Sequence, residues 1–183
     1  PSKLPLKPRV VRSPAPALEN AVETDWAQIT AAKHPLIFAG VEILRFGLSD
    51  LLHKLIDASG FLYTTTTLGK TVLDEGGRKF IGTYSDAASI DAVRTIVAEA
   101  DCVLTLGTII TDDYLVFIER KYADMVLATT AGARVGYFKY ADVTMRDFME
   151  ALLAKFKSDK AYPIKAVAPP QPKYPQPWAA NDD

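Results

Sequence analysis

From residue 35 onward the chain alternates two apolar rhythms. Pro35-Leu36-Ile37-Phe38-Ala39-Gly40 is a short, wholly apolar run ending in glycine, the pattern of a strand covered on both faces. From Leu44 the period lengthens: Leu48, Leu51, Leu52, Leu55 and Ile56 fall at helical spacing, with Gly60 placed to cap the C-terminus. Phe61-Leu62-Tyr63-Thr64-Thr65-Thr66 is β-branched and aromatic and predicts a second strand, and Phe80-Ile81-Gly82-Thr83-Tyr84 a short extended segment. Ile90, Val93, Ile96, Val97 and Ala100 mark one face of the next helix. Cys102-Val103-Leu104-Thr105-Leu106-Gly107 then repeats the pattern of the first strand.

A further helix follows, with Tyr114, Phe117, Ile118 and Tyr122 as its buried stripe and Asp112 or Asp113 near its start, where a carboxylate caps free N–H groups. Residues 125–130 and 134–140 are strand candidates separated only by Ala131-Gly132-Ala133. That link is too short for the helical crossover of a parallel pair, so they form a hairpin or one bent strand. The last helix, residues 144–157, places Phe148, Met149, Leu152, Leu153 and Phe156 on one side. Strands and helices alternating at these lengths specify an α/β fold in three layers. The expected sheet is Rossmann-like, mostly parallel and of about six strands, with helices on both faces, as in DHS-like NAD/FAD-binding domains.

The two ends break this rhythm. Pro1, Pro5, Pro8, Pro14 and Pro16 crowd one end, and Pro163, Pro169, Pro170, Pro172, Pro175 and Pro177 the other. Proline removes backbone donors and pushes the preceding residue out of the helical region, which makes extended, polyproline-like straps. The expected division is a Pro-rich linker over 1–24, a folded domain over 25–157 and a second Pro-rich linker over 158–183. Straps at both ends point to a unit of a longer chain. The P-x-x-P spacings from Pro5 to Pro8, Pro169 to Pro172 and Pro172 to Pro175 are weak patterns for a ligand of adaptor domains.

Composition narrows the partners. Across 183 residues, 21 basic side chains face 22 acidic ones, which leaves no electrostatic footprint for nucleic acid or an anionic membrane. A single cysteine, Cys102, allows neither an internal disulfide nor a multi-cysteine zinc site, and the expectation is a cytoplasmic protein. No apolar run approaches the roughly 20 residues that cross a bilayer, and Pro1-Ser2-Lys3-Leu4-Pro5 lacks the apolar core of a signal peptide.

Residue types able to run a reaction are scarce. His34 precedes Pro35 at a strand entrance and His53 lies off its helix's apolar stripe; both are expected at the surface, beside no nucleophile or metal partner. Cys102 opens an apolar strand and reads as a small buried hydrophobe. Adjacent side chains point in different directions, so Asp74-Glu75 and Asp112-Asp113 form no shared-proton dyad and read as solvated or capping charge. No catalytic residue and no metal ligand is assigned.

A ligand of an open α/β sheet binds outside the carboxyl ends of the strands, where the strand order reverses. The crevice candidates there are Gly40, Glu42, Thr66, Gly69, Gly107 and Asp112, with helix N-termini after Gly40 and Gly107 offering free N–H groups. The competing reading is that these glycines only turn the chain between strand and helix. Gly69-Lys70-Thr71 ends like a phosphate-binding loop, but Thr64 stands where that loop needs glycine. Nor does Gly40-Val41-Glu42-Ile43-Leu44-Arg45 supply the three glycines of the dinucleotide fingerprint. A crevice for ADP, FAD or NAD therefore stands as the alternative function. A free-standing deoxyhypusine-synthase-like or sirtuin-like NAD enzyme is disfavoured, since neither histidine falls in an identifiable catalytic loop.

The order and spacing of several segments carry a resemblance. They are Ile37-Phe38-Ala39-Gly40-Val41-Glu42-Ile43-Leu44-Arg45-Phe46-Gly47-Leu48, then Thr65-Thr66-Thr67-Leu68-Gly69-Lys70 with Leu73-Asp74-Glu75, then Ile81-Gly82-Thr83-Tyr84 and Ala100-Asp101-Cys102-Val103-Leu104-Thr105-Leu106-Gly107. Over residues 25–156 the chain resembles the central domain of thiamine-diphosphate-dependent enzymes, most of all the pyruvate, indolepyruvate and phenylpyruvate decarboxylase branch. The resemblance implies a middle layer between an N-terminal domain holding the cofactor's pyrimidine and a C-terminal one holding its diphosphate and magnesium. It also implies that the activating glutamate and the Gly-Asp-Gly segment, absent here, lie in those neighbours, and that the parent is a homotetramer. Thiamine diphosphate and Mg2+ would then be bound outside this chain. In some branches the central domain binds FAD or an ADP moiety; in the decarboxylase branch it is usually empty and structural, which is the expectation here. Cys102 sits in an expected core strand, so it does not match the exposed regulatory cysteine of yeast-type enzymes.

Overall fold

A computed structural model describes residues 11–159 and Tyr162; the remaining proline-rich stretches of the expected linkers lie outside the described residues. Helix α1 (Ala15–Ala31) leads into strand β1 (Pro35–Ala39), the one-turn helix α2 (Glu42–Arg45) and helix α3 (Ser49–Ser59). Strands β2 (Leu62–Thr66) and β3 (Phe80–Tyr84) follow, then helix α4 (Asp91–Glu99), strand β4 (Cys102–Leu106) and helix α5 (Leu115–Lys121). Strands β5 (Met125–Thr129), β6 (Gly132–Val135) and β7 (Phe138–Tyr140) precede the closing helix α6 (Met145–Ser158). The sheet has seven strands in the order β3-β2-β1-β4-β5-β6-β7. Strands β3 to β5 run parallel, and β6 and β7 pair antiparallel.

The expected α/β architecture is the observed one. The seventh strand arises because Gly136 and Tyr137 turn the chain inside residues 134–140, so one expected strand becomes the hairpin β6–β7. Successive strand residues face opposite sides, and β1 displays this directly. Ile37 and Ala39 join one apolar cluster with Ile29, Leu52, Leu55, Phe148 and Leu152, from α1, α3 and α6. Leu36 and Phe38 join a second cluster with Val93, Val97, Tyr114 and Phe117, on the α4–α5 side. Every residue of β1, β2 and β4 is buried, which is why these strands read as continuous runs rather than alternations.

Threonines in such a strand need partners. Thr64 donates from Oγ1 to the Gly82 carbonyl at 2.6 Å, and Thr65 and Thr83 share a hydroxyl contact at 3.3 Å, tying β2 to β3. Cys102 is fully buried, and His34 and His53 are exposed, His53 lying 3.3 Å from Asp57.

The structure corrects the expected boundaries. Residues 15–24, placed in the linker, form the first part of α1, with Ala21 and Val22 buried. Pro14 and Pro16 sit at the helix start, where a missing N–H and a fixed φ suit the first turn; a proline cluster there starts a helix instead of preventing one. At the other end, Tyr162 lies beyond residue 157 yet packs its ring 5.4 Å from Trp26 and 5.3 Å from Phe156. Smaller corrections concern the helix stripes. Tyr122 is 38% exposed and Ile90 54% exposed, because α5 ends at Lys121 and α4 begins at Asp91, so each stands just outside its helix.

Candidate functional site

Crossovers leave β1 toward β2 and leave β4 toward β5, in opposite directions along the sheet. The strand order therefore reverses between β1 and β4, and the carboxyl ends of these neighbours define the place where a ligand crevice opens in such folds. The candidate residues do converge there, but on one another. The Gly40 amide donates to the Leu106 carbonyl at 2.8 Å and the Glu42 amide to the Gly107 carbonyl at 3.0 Å. A Cβ on Gly40 would lie 2.2 Å from the Gly107 oxygen and 2.3 Å from the Thr108 Cα. Gly107 has φ +64°, and a Cβ there would meet the Ile43 nitrogen at 2.8 Å. Both glycines are required by backbone packed against backbone, a closer approach than any side chain allows.

The third strand end is drawn into the same knot. Thr66 Oγ1 accepts from the Gly69 amide at 2.9 Å, and a Cβ on Gly69 would stand 2.7 Å from the Ala39 carbonyl oxygen. Glu42 points across to the β5–β6 turn, where its carboxylate accepts from the Thr130 amide at 3.1 Å and hydroxyl at 2.6 Å. Asp112 stays apart: it is exposed, and its side chain makes no hydrogen bond or ion pair among the described residues. The expected carboxylate cap on α5 is therefore not made, and neither Thr111 nor Tyr114 supplies a side-chain cap in its place.

The helix N-termini expected after Gly40 and Gly107 also differ. Helix α2 is only four residues long, and the Glu42 N–H at its start is the one given to Gly107. After Gly107 no helix begins directly. Thr108-Ile109-Ile110-Thr111 is β-branched, which disfavours helix, and the chain reaches a single 3₁₀ turn at Asp112–Tyr114 before α5. That turn delivers a residue whose role the sequence pattern missed. The Tyr114 hydroxyl accepts from the Thr67 amide at 3.2 Å and donates to the Tyr84 carbonyl at 3.4 Å, stitching the ends of β2 and β3. Helical spacing marked Tyr114 as core; nothing in the spacing indicates where its hydroxyl goes.

The Asp74-Glu75 pair behaves as a local brace. Asp74 accepts from the Gly76 amide and Glu75 from the Thr71 amide, within one loop. No three His, Cys, Asp or Glu side chains converge as a metal site among the described residues. A cavity of about 680 Å3 opens beside α2, lined by Phe46, Leu48, Thr130, Met145, Arg146 and Glu150 among others, and none of the six crevice candidates lines it. No helix of the described residues is long and apolar enough to cross a membrane.

The sequence profile described as "Thiamine pyrophosphate enzyme, central domain" matches residues 22–155. The chain belongs to this family. Among curated proteins, this central domain is 26% identical over 167 residues to an indole-3-pyruvate decarboxylase of Azospirillum brasilense, covering 85% of the chain and 31% of that relative. It is 31% identical over 173 residues to a pyruvate decarboxylase of Kluyveromyces marxianus, covering 93% of the chain and 30% of the relative. Over a shorter stretch of 85 residues it is 33% identical to an alpha-keto-acid decarboxylase of Mycobacterium leprae, covering 46% of the chain and 15% of the relative. The chain thus spans less than a third of the length of these relatives.

A diphosphate held through a divalent cation needs converging oxygen ligands and free backbone donors. The described residues of this central domain do not fit that group: the Gly40, Glu42 and Gly107 amides at the switch point are bonded to its own carbonyls, and no three His, Cys, Asp or Glu side chains cluster among the described residues.

Proposed function

We propose that this chain is the non-catalytic middle layer of a thiamine-diphosphate-dependent 2-oxo-acid decarboxylase, a folded spacer on which two cofactor-binding domains sit. One observation carries the reading: at the β1–β4 reversal the loops pack backbone against backbone, Gly40 on Gly107 and Thr108. Backbone packed this closely, with the Gly40 and Glu42 amides bonded across the reversal, supports the spacer reading over the alternative of an ADP, FAD or NAD crevice.

In the parent, a lyase of the cytoplasm, thiamine diphosphate and Mg2+ are gripped by an N-terminal pyrimidine-binding domain and a C-terminal diphosphate-binding domain. Four such chains assemble as a homotetramer. Support comes from the names of the relatives and from their length, of which this chain matches about a third or less. The folded layer runs as far as the helix that begins at Ala15, and the proline-rich stretches outside it are the straps to the neighbours.

Calorimetric titration of the 183-residue chain with thiamine diphosphate and Mg2+, alongside thermal unfolding with ADP, FAD or NAD, tests this. No saturable heat and no thermal shift are expected. A ligand at 100 times its dissociation constant would stabilise the fold by about 2.7 kcal/mol, so saturable micromolar binding or such a shift overturns the proposal.

A further inference from the structure

On the α4–α5 side of the sheet, away from the β1–β4 reversal, lies a cleft of about 360 Å3. Its floor is apolar: Val97 and Phe117 are each 3% exposed, the Tyr84 ring lies beside them, and Val116 stands more open at one wall. Its rim is cationic, with Arg94, Arg120 and Lys121 set against a single acid, Asp86.

Two of the three cations are already committed. Arg94 donates to the Ala87 carbonyl at 3.1 Å and pairs with Asp91. Lys121 donates to the Ala98 and Ala100 carbonyls at 2.6 and 2.5 Å, closing the C-terminal end of α4. Arg120 makes no hydrogen bond or ion pair among the described residues. It nevertheless stands close to the cleft's phenol: burial and then Asp86 push the Tyr84 hydroxyl up to about 12, and the Arg120 charge opposes them. A guanidinium with its donors unused thus borders an apolar floor, in the field of Lys121, while Asp91 offsets the charge of Arg94.

We infer that this cleft binds a small organic carboxylate with an apolar body, its head group on the Arg120 guanidinium and its body over Val97, Val116 and Phe117. The head group follows from geometry: a planar fork of N–H donors matches a carboxylate in two parallel bonds. Lys121 adds attraction at a distance, its donors being engaged by neutral carbonyls, whereas Asp91 offsets the charge of Arg94. Asp86 on the rim opposes a dianion and so favours one negative charge. The volume lies near the lower end of ligand pockets, which run from about 300 to 1,000 Å3, and fits a metabolite-sized acid rather than a dinucleotide. This site is independent of the spacer role, since it uses none of the residues at the β1–β4 reversal.

Phenylacetate, titrated into the 15N-labelled 183-residue chain, is the probe, with acetate and inorganic phosphate as parallel arms. Saturable amide shift changes centred on Tyr84, Val97, Val116 and Phe117 are expected. Acetate, which lacks the body, should bind at least tenfold more weakly. Removing a hydrogen bond to a charged group weakens binding by about tenfold or more, and Arg120→Ala should do so here. Because Arg120 is exposed and unpaired among the described residues, the variant keeps the fold, with shift changes in the absence of ligand confined to its neighbours. The inference is overturned if the shifts do not saturate, if they centre elsewhere, or if Arg120→Ala responds like wild type. Phosphate binding as tightly as phenylacetate also overturns it, by reducing the cleft to general anion attraction.

Discussion

Asp25 is the least conventional side chain in the core. It occupies the packed face of α1 between Ala21, Val22, Trp26 and Ile29, fully buried, with neither carboxyl oxygen hydrogen-bonded among the described residues. Burial alone pushes its pKa well above the ordinary 3.8, because a charge without a partner is costly to remove from water. The sign of the pH effect follows. The folded state keeps a proton that the unfolded state releases, so the contribution of Asp25 is favourable below the ordinary pKa and is lost as pH rises above it. Asp25→Asn abolishes this titration. Its stability relative to wild type should rise as pH increases above about 4, by at most about 1.4 kcal/mol per pH unit. Urea unfolding at a series of pH values reads this directly, and a parallel pH profile for the two proteins would refute the assignment. Gly40 presents the opposite kind of residue-scale constraint, one set by space instead of charge.

The N-terminus of α6 shows how an element is anchored. Thr144 caps it, accepting from the Asp147 amide at 3.2 Å, and the T-x-x-D spacing is that of a capping box. In the usual box the acid returns to the cap residue; here Ser13 is inserted between them. Its hydroxyl accepts from the Thr144 amide at 2.8 Å, and its own amide and hydroxyl donate to Asp147 at 2.7 and 2.8 Å. Arg12 adds a 2.7 Å ion pair to the same carboxylate. Burial would raise the Asp147 pKa, but the Ser13, Arg12 and Thr144 hydrogen bonds outweigh it and hold the carboxyl down at about 2. With the folded value below the unfolded one, this stability is present above the ordinary carboxylate pKa and is lost as pH falls from about 4 toward 2. A displacement of that size is worth on the order of 2 kcal/mol at neutral pH. Asp147→Asn should forfeit it at pH 7 and differ little from wild type near pH 2, as monitored by denaturant midpoints; an unchanged midpoint at pH 7 would contradict the anchoring.

At this scale the strands were legible and one helix was not. Strands β1 and β4 declare themselves because parallel strands buried on both faces need continuous apolar runs. Helix α1 is not legible because Asp25 interrupts its buried stripe and the prolines before it suggest extended chain. No local rule distinguishes a protonated core carboxyl from a solvated one.

For the whole molecule, the sheet divides the interior into two apolar clusters, one facing α1, α3 and α6 and the other facing α4 and α5. Helix α1 belongs to the first and packs on α6, with Trp26 edge-on to Phe156 at 4.9 Å. Deleting residues 1–24, the segment read as a linker, would remove buried Ala21 and Val22 together with the Ser13 and Arg12 anchor of α6. The loss should reach about 3 kcal/mol, lowering the melting temperature by about 6–12 °C in a protein of this size. Calorimetry on the shortened chain checks it, and a melting temperature equal to that of the full chain would restore the linker reading.

Apolar runs and helical periods are local, so residues 35–157 announced an α/β sheet with helices on both faces. The scarcity of nucleophiles and metal ligands is likewise a property of composition. Whether a glycine at a strand end opens a crevice or closes one is not local. Gly40, Gly107 and Gly69 look the same in sequence under either reading, and the outcome depends on how close β1, β4 and β2 bring three loops that lie far apart along the chain. The partners of Glu42 and the Tyr114 hydroxyl, and the burial of Asp25, rest on the same long-range distances, which exist only after the chain has packed.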